Sequence, residues 1–268
     1  LSTAAFIIVV LTLQTSGASS QGVSLPDRVQ VITAIEDFVY DALLKPQQRG
    51  FLGADGATSV ALSRDRVLWI FGDTFLGLIG NEGDRKGSMV RNSIAIQSLR
   101  GHPPGSVEYY WKVIDGLPYS FFPGDHFDQD FWYWPGCGAM VDGELFLFLI
   151  RVTSGQGAPT LEFHTGENVL VRISNPLDSP TRWKASFQPL GIGTQPHSFT
   201  SAAYVGKPYL YFLGHYDKTE DEIRGMILAR AKIQDLKIGK GGAAYEYWTV
   251  GTEGNRWSAD SDHPVILF

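Results

Sequence analysis

Gly53-Ala54-Asp55-Gly56-Ala57-Thr58-Ser59-Val60, followed by Val67-Leu68-Trp69-Ile70-Phe71-Gly72-Asp73-Thr74, decides how the rest of the chain reads. Between the two halves lies the turn Ser63-Arg64-Asp65-Arg66, and the second half opens on five consecutive apolar residues closed by Gly72. Two apolar runs joined by a short polar turn predict a β-hairpin. Asp55 and Asp73 stand at nearly equal distances from that turn, so antiparallel pairing brings both carboxylates to the open end of one sheet.

Composition extends the hairpin to a class. Aromatic residues make up 13% of the 268, alongside 30 Gly and 14 Pro, a mixture suited to short strands joined by tight turns. An all-β fold is therefore expected. The formal net charge of -6, with no Lys/Arg cluster able to follow a phosphate backbone, argues against nucleic acid and favours a neutral or weakly polar substrate. Cys137 is the one cysteine, so no intrachain disulfide can form. It sits between glycines ahead of an apolar run with no His nearby in sequence, which points to packing rather than nucleophilic work.

Residues 1–20 read as a signal peptide without its basic start: an uncharged apolar run to Leu13, then the small, polar stretch Ser16 to Ser20. The run is shorter than the ~20 residues that span a bilayer, so export is expected over anchoring, with a secreted, cell-surface or periplasmic location. The first residue is Leu, which suggests a truncated reading frame. Residues 21–268 are read as the catalytic domain.

The hairpin pattern recurs. Leu68-Trp69-Ile70-Phe71 is matched by Leu145-Phe146-Leu147-Phe148 and by Leu210-Tyr211-Phe212-Leu213, each preceded by a small-residue strand and a turn. Outgoing strands follow at Asn92 to Ile96, Asn168 to Ile173 and Met226 to Arg230, and then Trp-bearing segments at Trp111, Trp183 and Trp248. Four strands per unit, the second apolar on both faces, are what a β-propeller blade needs, because each blade is sandwiched between two others. The connections Leu76 to Val90 and Gly116 to Asp130 read as long loops, where sites are often built. Residues 29 to 50, with Val29 to Phe38 and Tyr40 to Leu44, fit either a strand that completes the last blade or a short helix. A fourth unit is expected to begin at Trp257-Ser258-Ala259-Asp260. Three units and a fraction cannot close a ring, so the C-terminal blades are expected to be missing from the sequence.

P-loop, zinc-protease, nucleophile-elbow and dinucleotide-binding signatures are absent, and so is the sialidase-type Asp box. Six scattered His argue against a transition-metal site. Carboxylates and aromatics remain. Glycosidic cleavage needs two carboxyl groups flanking the bond, one protonated and one ionised, and Asp55 with Asp73 supplies such a pair. Singly, each also fits ordinary turn chemistry. Trp132 and Trp134, in Phe131-Trp132-Tyr133-Trp134-Pro135-Gly136, fit a sugar subsite and fit packing between blades equally well. Asp125, Asp128 and Asp130 could engage calcium, but the run lacks the Gly and terminal Glu of an EF-hand loop. An acidic rim on a substrate loop is expected there, with Asp130 as a binder, and no metal or other cofactor is predicted. Arg91 and Asn92 could bond sugar hydroxyls or merely backbone. His197 enters the third unit where Asp55 and Trp134 enter the first two, though a lone His is more often structural; Asp260 and Asp262 are further carboxylates at the fourth entry.

The motifs at 53–60, 68–74, 92–97 (Asn-Ser-Ile-Ala-Ile-Gln) and 133–136 (Tyr-Trp-Pro-Gly) resemble a five-bladed propeller family catalogued as domain of unknown function forty-one eighty-five, and its close relatives. Members of that family have been assigned as endo-D-arabinanases, hydrolases of arabinofuranose polymers. The resemblance covers roughly residues 50 to 268. It implies a five-bladed β-propeller glycosidase with Asp55 and Asp73 as catalytic carboxylates and a polysaccharide substrate. The expectation is a secreted monomeric glycoside hydrolase, with Asn92, Trp132, Trp134, His197, Asp130 and Asp260 binding sugar. A non-catalytic carbohydrate-binding propeller is the alternative.

Overall fold

The computed structural model describes residues 38–101, 105–125, 128–155, 163–193, 196–218, 223–239, 245–252 and 254–267. The proposed leader, residues 1–20, lies outside them. The chain divides into two units, residues 1–44 and 45–268. In the first, the described residues form one short helix, α1 (Phe38–Leu43). Among its described residues the second is mostly β-strand, with the five-residue helix α2 (Ile233–Lys237) and a 3₁₀ turn at Pro180–Arg182.

The chain's opening strands form one long two-stranded ribbon that splits between sheets. β1 (Arg49–Ala54) runs into β2 (Thr58–Ser63), and β3 (Arg66–Phe71) runs into β4 (Thr74–Ile79). β2 pairs with β3 around the expected turn, Thr58 facing Ile70, while β1 pairs with β4, Ala54 facing Thr74. β4 continues into β5 (Arg85–Val90), so the stretch read as a loop from Leu76 to Val90 is largely a third strand pair. Loop composition there was misleading because Gly77 faces both Gly50 and Gly87, a row without side chains that still supports pairing.

The first sheet is completed by β6 (Ser93–Ser98) and β7 (Ser106–Tyr110), in the order β2-β3-β6-β7. A small hairpin, β8 (Lys112–Ile114) with β9 (Leu117–Tyr119), turns on Asp115 and Gly116, both at positive φ. The second sheet runs β10 (Phe131–Val141), β11 (Glu144–Ser154), β12 (Phe163–Ile173), β13 (Ala185–Pro189) in sequence order. The third runs β14 (His197–Gly206), β15 (Tyr209–Lys218), β16 (Ile223–Lys232), β17 (Tyr245–Thr249), β18 (Arg256–Ser258). The expected threefold repeat of antiparallel meanders is therefore present, and the arrangement is propeller-like. Two details differ. Trp111 and Trp183 lie just outside the fourth strands. Trp257 belongs to β18 at the edge of the third sheet instead of opening a fourth, and Val265 and Leu267 donate back to Trp248 and Met226 of that same third sheet.

Burial explains why the second strands read as apolar on both faces. In β11, Leu145, Leu147 and Leu149 enter a core shared with Leu68, Ile70 and Ile94 of the first sheet. Phe146 and Phe148 enter a second core with Phe212, Ile227 and Ala229 of the third. All five β11 residues are at most 1% exposed. A sheet packed on both sides needs such a run, which period-2 alternation would forbid. Cys137 is buried in the second core, where burial pushes its thiol up to about 12; it packs and does not react.

Close approach of the first strands sets the centre. β10 lies against β2 on one side and β14 on the other. A Cβ on Gly136 would stand 2.3 Å from Thr200 Cβ, and one on Gly138 2.6 Å from Leu147 Cδ2 and 3.0 Å from Val60 Cγ2. The sequence Pro135-Gly136-Cys137-Gly138, with a bulge between Pro135 and Gly138, is what lets β10 pass between its neighbours.

Candidate active site

Asp55 and Asp73 occupy the point where the ribbon splits. Asp55 N–H donates to Asp73 O at 3.0 Å and Gly72 N–H to Asp55 O at 3.0 Å, so pairing is carried across the gap between β1/β4 and β2/β3. Gly56, at φ 54, allows the chain to turn there. Thr74, fully buried, fixes the other arm: its hydroxyl donates to Gly72 O at 2.7 Å and lies 2.8 Å from Ser93 Oγ. Two carboxylates thus project from a pinned kink, the arrangement anticipated from the hairpin.

The surroundings of the two differ. Asp73 does not close an Asx turn on Thr74; its Oδ1 accepts from Trp134 Nε1 at 3.0 Å and its Oδ2 faces Arg91 Nη1 at 3.5 Å. Both partners are donors aimed at carboxylate oxygens, and one is a cation. Among the described residues no ion pair involves Asp55. Burial chiefly, and then the charge of Asp73, push its pKa above the usual carboxylate range, against a hydrogen bond from the Asp73 backbone. Its residue surface is nevertheless largely open, because it sits at the mouth of a cleft. Asp55, Gly56 and Gly72 line one wall of that cleft, and Trp134, Pro135 and Ile150 the other. Gly72 leaves room for the Asp55 carboxyl: a Cβ there would lie 2.2 Å from Asp55 Oδ1 and push it aside.

Trp134 also meets Phe163 edge-on, with ring centroids 4.9 Å apart. Nothing in the sequence pattern singled out Phe163, which starts β12 and joins the site only because β12 pairs with β11.

Other residues expected at the site fall elsewhere. Asn92 is 1% exposed, and its amide donates to Phe122 O and Tyr133 O, each at 2.8 Å, while its Oδ1 accepts from Phe122 N–H at 2.7 Å. No donor remains for a sugar, so Asn92 braces backbone. Trp132 is 4% exposed and covered by the Arg91 guanidinium, 4.3 Å from its ring centroid, so its face is not an open platform. Asp128 is buried beneath Ser120 and Gly124, whose hydroxyl and N–H it accepts; burial raises its pKa. Asp125 accepts from Asp130 N–H at 2.8 Å. These acids knit their own loop; the segment 126–127 lies outside the described residues. Asp130 follows at the open end of the β10–β11 pair, away from the cleft-lining residues. His197 packs on Tyr216 and lies 2.9 Å from Ser261 O through Nε2, tying β14 to the segment after β18. Asp260 accepts from Asp262 N–H at 2.8 Å in a turn of its own. Among the described residues no group of three or more His, Cys, Asp or Glu could hold a metal ion, and no helix is long and apolar enough to cross a membrane.

A family model described as Domain of unknown function (DUF5005) matches residues 37–266. It differs in number from the family that the motifs resemble. No curated protein matches the sequence. Among solved structures, the crystal structure of a provisionally designated hydrolase from Bacteroides ovatus ATCC 8483 is similar at 19% identity and a TM-score of 0.65, covering 84% of this chain. That likeness is one of fold. This chain spans 58% of that protein's length. Weaker likenesses, at 14% identity and 75% coverage of this chain, are to a protein solved as an RGII complex (TM-score 0.39) and to a glycoside hydrolase (TM-score 0.38), with 61% of each of those proteins covered.

Proposed function

We propose that this chain, which belongs to the family described as Domain of unknown function (DUF5005), is a glycoside hydrolase that cuts polysaccharide with Asp55 and Asp73. One observation carries the reading: two adjacent carboxylates, Asp55 lining the cleft and Asp73 bonded to the cleft-lining Trp134, have different partners. Burial and its neighbour's charge raise the pKa of Asp55, whereas Asp73 faces an arginine and an indole N–H. Glycosidic cleavage asks for such a division, with one carboxyl protonated toward the leaving oxygen and one ionised to activate water or attack the anomeric carbon. Asp55 takes the acid's part and Asp73 the ionised one. The half-buried ring of Trp134, which lines the cleft, suits contact with the C–H face of a sugar ring.

The finer expectations belong to the same proposal. The three sheets are blades of a five-bladed propeller, the leader directs export, the protein is a monomer, and arabinofuranoside linkages are the first candidates for the substrate. The test is release of reducing ends from a panel of D-arabinan, L-arabinan and xylan. Activity on one polymer, lost in both Asp55→Asn and Asp73→Asn, is expected. Polymer binding without hydrolysis would favour a non-catalytic carbohydrate-binding protein, and activity surviving both substitutions would remove these carboxylates from the mechanism.

A further inference from the structure

Three consecutive residues of β10 are gripped by Arg91 and Asn92, which join β5 to β6, and by Asp73, between β3 and β4. Trp132 lies under Arg91 at 4.3 Å, Tyr133 O accepts from the Asn92 amide at 2.8 Å, and Trp134 Nε1 donates to Asp73 Oδ1 at 3.0 Å. Asn92 is the hub of this clamp, since its other two bonds, with Phe122 N–H and O, seat the loop after β9 on the same spot. That loop in turn holds Arg91: Arg91 N–H donates to Ser120 Oγ, and Ser120 Oγ donates to Asp128 Oδ2.

We propose that Asn92 is a positioning residue for the carboxylate pair, acting through Tyr133 to place the Trp134 indole that orients Asp73. The role rests on the site reading above, but the geometry behind it does not. A side-chain amide buried at 1% exposure with all its described bonds made to main-chain atoms is a rigid spacer, because changing it leaves carbonyls unpaired. Tyr133 precedes Trp134 directly, so any shift of its peptide moves the indole. One ångström of misplacement at a reacting group costs on the order of a hundredfold in rate.

The molecule contains its own control. Asn168, also fully buried, accepts from Phe199 N–H at 3.1 Å through Oδ1 and so joins the second sheet to the first strand of the third. It makes one inter-sheet bond, its amide nitrogen being buried without a partner among the described residues, and it bonds to neither Asp73 nor Trp134. Comparing the two asparagines separates loss of bracing from loss of positioning.

The experiment uses protein labelled with ¹⁵N at the tryptophan indoles, with the Trp134 signal assigned by its loss in Trp134→Phe. In Asn92→Ala the Trp134 indole signal is expected to move away from its hydrogen-bonded position, whereas in Asn168→Ala it stays, although both lower the melting temperature. On whichever polymer the wild type cuts, kcat in Asn92→Ala falls by about a hundredfold with KM changed far less, and Asn168→Ala keeps its kcat. Asn92→Ser, which retains one donor, is expected to recover part of both readouts. An unmoved Trp134 signal in a folded Asn92 variant would overturn the proposal even if no polymer is cut, so its failure is distinct from that of the hydrolase reading. Failure of both Asn92 variants to fold while Asn168→Ala folds would also overturn it, leaving Asn92 as a residue of the fold alone.

Discussion

Trp134 Nε1 donates to Asp73 Oδ1 across 3.0 Å, so a side chain of the second sheet orients a carboxylate carried on the link between β3 and β4. The bond crosses the interface along which β10 packs on β2, and it couples the cleft to how those two sheets meet. Trp134→Phe keeps the ring and removes the donor. A hydrogen bond to a charged group contributes about 1.5–3 kcal/mol. At about 1.36 kcal/mol per decade, kcat/KM on the polymer that the wild type cuts is expected to fall by about 10- to 100-fold with the fold retained. Steady-state kinetics beside circular dichroism check this; an unchanged kcat/KM would leave the bond without a catalytic role.

The raised pKa of Asp55 has a signature in stability. Its folded value lies above the unfolded one, so the stability it contributes is fully present below the unfolded pKa and is lost as pH rises through the folded pKa. Asn mimics the neutral acid at every pH. Asp55→Asn is therefore expected to melt above the wild type at neutral pH, with the gap closing as pH falls below about 4, the ordinary carboxylate value. Thermal melts across that range decide the matter, and a gap independent of pH would show that Asp55 is not held toward its neutral form.

Gly72 is the simplest way to disturb Asp55 without touching it. Its backbone is not among the positive-φ glycines, so alanine is conformationally acceptable, yet the added methyl would stand 2.2 Å from Asp55 Oδ1. The carboxyl must swing aside. Gly72→Ala is expected to cut kcat by about tenfold or more while lowering the melting temperature only slightly, since no core group moves. Equal activity in the two proteins would mean that the position of Asp55 is not critical.

Phe148 tests the packing. It is fully buried and meets Phe212 edge-on at 5.0 Å between the second and third sheets. Phe148→Ala is expected to cost about 3–5 kcal/mol in chemical denaturation. A loss below about 1 kcal/mol would show that the two sheets do not share a tight core.

Much of the fold was legible because local chemistry dictated it. The hairpin at Ser63 to Arg66 and the apolar run from Leu145 in β11 follow from turn residues and from the burial of both faces of a middle sheet. The Asp55–Asp73 pair was legible for the same reason: antiparallel register around one turn places them together. The stretch from Leu76 to Val90 was not, because Gly-rich strands lack the side chains that announce pairing. Nor was the edge strand at Trp257, since a strand's sequence does not say which sheet it joins.

The binders divide along the same line. Asn92, Trp132 and His197 have side chains suited to sugar, and only packing shows that Asn92 is spent on main-chain partners, Trp132 lies beneath Arg91 and His197 meets Ser261. Phe163 reaches Trp134 through strand pairing far from it in sequence. By itself the sequence determined the repeated meanders, the both-faces-buried strands and the cross-strand pairing of Asp55 with Asp73, because each depends on neighbours along the chain. The tertiary structure alone decided that Asp73 meets a cation and an indole N–H while Asp55, open at the mouth of the cleft, has no ion-pair partner among the described residues, because that depends on what β10 and Arg91 bring from other parts of the fold.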